Sequence, residues 1–545
     1  MGINLGVRKK YFLLAELVII VLLACVPLFF TFPYRVNIFL SWEGAYRMSN
    51  GQLPFRDFGI PLGGMYWLIP AIFFKIFGAQ MISLIKAQVF INIISGLAFR
   101  SILKTCGVQP GLRLGGVLLY CISFSFFNFW PWYNHTVIVF EFVGLAFLFK
   151  AVTTQSFKTS SAWLVVSAFF ICCSFFTKQD AGGMAFMFSF LLLFYSCLRN
   201  KKWIQLLIFT GTFAIILFLF VAPFLKYGFG YWFNHGQAPH SSRISAFEIV
   251  DEFFSNSQWL RFYLFFIGII LMIRFRSLKE LWLQKIEMLF LILTLGILGE
   301  AAIFQVTSYT PPDNNIFFHS FAIVYILYSL SQMLKVDMNK IKMVIVCSIG
   351  ILLWWSNVYW KYIQRMAERA FPHNDEALIS ATGENIVNRK TFMLNSVDTT
   401  DAPRSGWVFS NLKSFEKIYM PASTVAGIDR IIKMEMVKTR KNLSVLNMSE
   451  LTPLANEIPY QLEKGPAYPL WYHLGVGMFN KQAEMFEKKI ANKEYDLVLF
   501  EFVPKLNNFY PFRVRDTLLN HYNKVDSFLA PRSGDTRGII EVYIK

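Results

Sequence analysis

The chain has 545 residues, of which 55% are hydrophobic and 18% aromatic, and only 16% are charged. That balance excludes an ordinary soluble enzyme, because long runs of Phe, Leu and Ile between short polar segments are the pattern of a polytopic helical membrane protein. The net charge of +18 does not point to nucleic acid. Lys and Arg sit in short clusters between the apolar runs, where they report topology.

The N-terminus, MGINLGVRKKYFLL, has a basic head, and its apolar run continues to about Phe32 without a small-x-small cleavage site, so it reads as a retained first helix. Apolar runs near 11–32, 79–104, 111–128, 133–151, 161–177, 180–198, 203–225, 259–275, 286–306, 316–334 and 343–357 predict about eleven spans. Met65 to Phe77 is apolar too, but it is short and carries Pro70 and Lys75. It predicts a helix lying on the membrane surface. Basic clusters recur at every second connection: Arg8 to Lys10, Arg100 with Lys104 and Arg113, Lys150 with Lys158, Arg199 to Lys202, Arg274 to Lys279, and Lys335 to Lys342. Cytoplasmic loops collect such charge. The alternation therefore predicts a multi-pass protein of a cytoplasmic (inner) membrane with its N-terminus inside. It places outside a first loop over 33–78, together with 128–134, 177–183, 226–258 and 307–319.

From about Lys361 the composition changes, and charged residues, Asn and Pro become frequent. KNLSVLNM, YDLVLFEFV and GIIEVYI read as short strands, KQAEMFEKKIANK and FRVRDTLLNHY as amphipathic helices. The expected architecture is a polytopic α-helical membrane domain over 1–360 followed by an extracytoplasmic α/β domain over 361–545. None of the seven cysteines lies after Cys347, so that domain is expected to fold without disulfides.

The densest polar signal is Ser41 to Gly64, SWEGAYRMSNGQLPFRDFGIPLGG, which brings Glu43, Arg47, Arg56 and Asp57 to the membrane surface. A carboxylate there can serve as general base toward an acceptor hydroxyl. The plainer reading has Glu43 capping a short helix and pairing with Arg47 at i,i+4, and Asp57 capping a turn. FFTKQDAGG places Lys178, Gln179 and Asp180 between two spans, where the ammonium either holds a phosphate or pairs with Asp180. His135 in NFWPWYNHTV and His319 in TSYTPPDNNIFFHS are further candidates for substrate contact, although a lone His among aromatics is more often a packing residue. His235 and His240 lack the spacing of a helical metal pair, and no metal site is predicted. No P-loop, dinucleotide fingerprint, zinc signature or serine elbow is present.

EGAYRMSNGQLPFRDFGIPLGGMYWLIPAIFFKIFG resembles the first outer loop of the GT-C class of membrane glycosyltransferases, which includes the protein O-mannosyltransferases and the lipid A aminoarabinose transferases. In that class an acidic residue soon after the first span precedes a G-x-x-P-Y-x-D-F-like segment and an amphipathic helix ending near K-x-F-G. The resemblance implies a GT-C-like fold and a polyprenyl-phosphate-linked sugar as donor. It also implies a glycan, lipid or protein acceptor and an inverting displacement. It gives Glu43 or Asp57 the base role, and Lys178, Arg47, Arg56 and Tyr309 the donor phosphate. The acids could bind a divalent cation, but related lipid-phosphate-sugar transferases generally work without one. Two features depart from the pattern: Trp42 stands where an acid is usual, and Pro61-Leu62-Gly63 replaces paired prolines. A transporter or flippase of lipid-linked sugars, and a non-catalytic scaffold, are the alternatives.

Overall fold

A computed structural model describes residues 5–33, 36–126, 128–227, 246–308, 317–370, 406–470, 479–504, 510–531 and 538–545. The helical part runs α1 (Leu5–Ala24), α2 (Val36–Ser49), α3 (Leu68–Phe77), α4 (Met81–Thr105), α5 (Pro110–Ser125) and α6 (Tyr133–Thr153). It continues with α7 (Phe157–Phe175), α8 (Gln179–Asn200), α9 (Trp203–Val221), α10 (Ala246–Asp251), α11 (Gln258–Arg274) and α12 (Leu278–Leu283). The last four are α13 (Lys285–Ser308), α14 (Phe317–Met333), α15 (Ile341–Trp354) and α16 (Ser356–Ala370).

Each of the eleven apolar runs is a helix, but not each is long enough to cross a membrane alone. Among the described residues seven helices meet that length and apolarity, namely α1, α4, α6, α7, α8, α9 and α13. Two bent pairs bring the number to nine: residues 246–256 with α11, at 79°, and α15 with the start of α16, at 68°. The remaining two, α5 with 16 residues and α14 with 17, fall short of the roughly 20 that a bilayer core needs.

Charged residues inside the bundle are paired where the basic connections meet. Glu16 of α1 is fully buried and accepts from Arg100 of α4 at 2.5 Å and Arg113 of α5 at 2.7 Å. Arg274 reaches Glu287 at 2.6 Å, and Lys285 donates to the Val152 carbonyl at 2.6 Å. A buried charge without a partner is costly, so these contacts fix how the helices meet at the basic end.

At the opposite end the chain after residue 406 covers the bundle. Its described elements are β2 (Trp407–Phe409), β3 (Ile418–Pro421), α17 (Ala422–Lys433), α18 (Glu435–Thr439) and β4 (Val445–Met448). They continue with α19 (Phe479–Ala491), β5 (Leu497–Phe502), α20 (Phe512–His521), β6 (Asn523–Leu529) and β7 (Ile539–Ile544). Strands β4, β5, β7 and β6 form one sheet in that order, β4 parallel to β5 and the other pairs antiparallel. The predicted strands and helices of this region are all present. Not anticipated were α17, β6 and a second, three-stranded sheet. In that sheet β1 (Phe32–Pro33), directly after the first span, pairs in parallel with β3, which pairs with β2.

The segment from α2 to α3 is therefore held between bundle and tail. Gly63 sits against the end of α7 so closely that a Cβ there would lie 1.6 Å from the Phe176 carbonyl oxygen, while Met65 N–H donates to that same oxygen at 3.1 Å. Only glycine allows this approach. Gly63→Ala is expected to lower stability by about 3 kcal/mol or more, since backbone rather than a movable side chain must yield. Gly211→Ala, inside α9 and with nothing within 4 Å of the added Cβ, is expected to keep the melting temperature or raise it slightly, since alanine is the better helix former; thermal unfolding of both variants checks the contrast.

Candidate active site

The stretch read as a loop is half helix. α2 ends in a Schellman motif: Gly51, at φ +81°, donates to Met48 O at 3.0 Å, and Gln52 donates to Arg47 O at 3.0 Å. Glu43 lies in the middle of α2, so it does not cap the helix, but its pairing with Arg47 at i,i+4 is present. Trp42, at the position where an acid was missing, is fully buried and packs on Tyr46 and Phe74. That face of α2 belongs to the core, and Trp67 donates from its indole to Leu40 O at 2.9 Å.

The other face carries the polar cluster. Arg47 is 1% exposed and donates to Glu43 Oε1 at 2.9 Å, Gln52 Oε1 at 2.9 Å and the Glu463 carbonyl at 2.8 Å. Its guanidinium also lies 4.6 Å from the Tyr468 ring centre. Burial raises the Glu43 carboxyl above its ordinary 4.5, and Arg47 only partly opposes it. Tyr460 and Tyr468 of the tail are close enough to feel the same carboxyl.

Asp57 behaves differently. Arg56 donates to its Oδ2 at 2.6 Å and Leu53 N–H at 2.8 Å. Burial pushes this carboxyl up, but those bonds outweigh it and hold it below its ordinary value. The turn it closes contains Phe55 at φ +67°, a conformation that costs a bulky side chain roughly 1–3 kcal/mol. Phe55 thereby faces an apolar groove of about 330 Å³, lined also by Leu53, Met65, Phe169, Phe176 and Phe224.

Lys178 begins α8. It is 1% exposed, pairs with Asp180 at 2.9 Å and lies 4.3 Å from the Phe304 ring centre. Gln179 donates to the Pro61 carbonyl at 2.9 Å, which ties this helix end to the opening segment. Beneath it, Glu141 of α6 and Glu300 of α13 lie against each other, with Asp180 near enough to act on Glu300. Both are buried, and neither carboxylate receives a bond from an N–H or hydroxyl among the described residues. These two acids escaped the sequence reading, although a Glu inside an apolar run is itself a signal.

His135 is buried with its ring edge-on to Trp132 and Phe124. His319 shares a 2.7 Å hydrogen bond with Tyr263 and is surrounded by Trp259, Phe318 and Trp355, none of which belongs to the clusters above. Tyr309, His235 and His240 lie outside the described residues. Among the described residues no group of three or more His, Cys, Asp or Glu is placed to hold a metal.

No protein-family model matches the sequence, and no curated protein matches it significantly. Solved structures do. ArnT from Cupriavidus metallidurans, in the apo state, is similar over 98% of both chains, with a TM-score of 0.48 and 11% identity. The same protein bound to undecaprenyl phosphate has a TM-score of 0.46 and 10% identity over the same shares. An Archaeoglobus fulgidus oligosaccharyltransferase in complex with Zn and sulfate is similar over 89% of this chain and 68% of its own, with a TM-score of 0.42 and 13% identity. Similarity at this level carries no residue assignment and no activity.

Arg47→Met is expected to cost about 3–5 kcal/mol, because it leaves the Glu43 carboxylate buried without its cation. Adding Glu43→Gln is expected to recover part of that loss in a double-mutant cycle. A group whose folded pKa is raised contributes stability that is complete below its unfolded value and lost as pH rises through the folded one. Melting temperatures taken upward from pH 4.5 are therefore expected to fall more for the wild type than for Glu43→Gln.

Proposed function

We propose that this chain is an integral membrane glycosyltransferase, taking a sugar from a polyprenyl-phosphate carrier to a glycan, lipid or protein acceptor. The acceptor side is the outer face of a cytoplasmic membrane, with the N-terminus inside and the domain over 361–545 outside. The observation that carries this reading is Glu43, a carboxyl raised by burial and held by Arg47 on α2, where membrane bundle and tail meet. A general base works best with a pKa near the working pH, and Glu43 is shifted in that direction while Asp57 is shifted away.

In the proposed step the acceptor oxygen attacks the anomeric carbon as its proton passes to Glu43. The bond from that carbon to the phosphate oxygen breaks, the phosphate leaves with the electron pair, and the anomeric centre inverts. Arg56 is given the phosphate. Its side chain is 38% exposed, and the turn that carries it forms one wall of the apolar groove, which suits an isoprenoid tail. Lys178 is sealed by Asp180 and Phe304 and reaches a phosphate only by exchanging that partner, while Arg47 is committed to orienting Glu43.

Glu43→Gln is expected to reduce transfer of a radiolabelled sugar from an undecaprenyl-phosphate-linked donor by roughly a hundred- to ten-thousand-fold, with folding retained. Undiminished transfer removes Glu43 from the mechanism. NMR of the product is expected to show an inverted anomeric centre.

The buried Glu141 and Glu300 favour the second reading, a transporter of lipid-linked sugars. Each lies about 12 Å along its helix from the end that faces the tail, given a rise of 1.5 Å per residue, and transporters place ionisable groups at such depth. Movement of a fluorescent polyprenyl-phosphate sugar across liposomes, undisturbed by Glu43→Gln, decides for transport.

A further inference from the structure

At the basic end of the bundle, α1, α5 and α15 line an open cavity of about 520 Å³. That is within the size range of small-molecule sites. Its walls are apolar, from Phe12 and Ala15 of α1, Leu114 of α5 and Val344 of α15, and its rim carries Lys340 and Lys342.

The two parts of this cavity ask for different chemistry. Among the described residues neither Lys340 nor Lys342 has an ion-pair partner. The nearest acid along the chain, Asp337, accepts from Asn339 at 3.0 Å instead. Asn339 in turn accepts from Gly111 N–H at 3.1 Å, so it closes the floor of the rim rather than neutralising it. The buried trio below, Glu16 with Arg100 and Arg113, adds one more net positive charge, two guanidiniums against one carboxylate. The walls open onto the exposed side chains Tyr11 at 67% and Ile341 at 68%, on the lipid-facing sides of α1 and α15. A ligand with an anionic head and an apolar tail satisfies both parts and reaches them from the lipid-facing opening, whereas a free anion satisfies only one.

We propose that this cavity is a binding site for an anionic phospholipid, with the phosphate held between Lys340 and Lys342 and an acyl chain along α1, α5 and α15. Basic pockets between helices at the membrane surface bind such headgroups by charge attraction that a zwitterionic lipid does not share. The bound lipid clamps the first helix to α15, both of which pack on α5.

The test is the melting temperature of the purified full chain in detergent, with phosphatidylglycerol, phosphatidylcholine, inorganic phosphate or undecaprenyl phosphate added in turn. Phosphatidylglycerol is expected to raise it by several degrees, and phosphatidylcholine and inorganic phosphate to leave it unchanged. The double variant Lys340→Gln/Lys342→Gln is expected to lose that rise while keeping any rise from undecaprenyl phosphate, whose proposed site lies elsewhere. If the double variant does not fold, Ala15→Phe, which fills the cavity without changing charge, is expected to abolish the rise as well. An equal rise with phosphatidylcholine or inorganic phosphate overturns the proposal. So does a rise from phosphatidylglycerol that survives both variants, or one that only undecaprenyl phosphate produces through these lysines.

Discussion

The arrangement of the outer end depends on one buried guanidinium. Arg47 has almost no contact with solvent, and a charge so placed must be surrounded by partners or the fold cannot retain it. Its partners come from three parts of the chain: Glu43 from its own helix, Gln52 from the turn that ends it, and the Glu463 carbonyl with the Tyr468 ring from the tail. Satisfying this single charge fixes the helix, the turn and the covering domain relative to one another. The chemistry proposed for Glu43 is a by-product of that fixing, since the same closure that buries Arg47 removes most of the water from the carboxyl, whose side chain stays 14% exposed.

Two acids fourteen residues apart in the sequence thus end in opposite states. Glu43 is desolvated against a cation that only partly offsets the loss, whereas Asp57 collects a guanidinium and a backbone N–H and is stabilised as the anion. Environments that drive neighbouring carboxyls apart are a usual way to divide acid–base work from structural work. Here the division matches the proposed roles, proton transfer for Glu43 on the helix and anchoring for Asp57 in the turn. The strained Phe55 belongs to the anchoring side, because the turn that twists it also aims its ring into the apolar groove.

Much of this was legible in the residues. Periodicity and length located every apolar helix, and the strands at Val445, Leu497 and Ile539 follow from short β-rich runs between polar segments. The pairing of Glu43 with Arg47, and of Lys178 with Asp180, follows from spacing alone. What spacing cannot give is closure over long separation. Nothing in Phe32-Pro33 announces a strand, because its partner β3 lies in the tail, and nothing in Tyr468 announces a ring over Arg47. Length divides the apolar helices in a way composition does not: seven of those described, or nine with the two bent pairs, are long enough to span alone, while α5 and α14 are apolar but shorter.

The pairing of β1 with β3 also orders events in time. Lys417 donates to the Leu28 carbonyl across 389 residues, and Arg47 to the Glu463 carbonyl across 416. A nascent chain inserts its first helices and exposes α2 long before those partners are synthesised. Until the tail arrives on the same side of the membrane, Arg47 and Glu43 remain wet and their helix lacks a cover. The proposed centre is thus completed only by residues made some four hundred positions after α1 and α2, so the chemistry proposed for it waits on the synthesis of most of the chain.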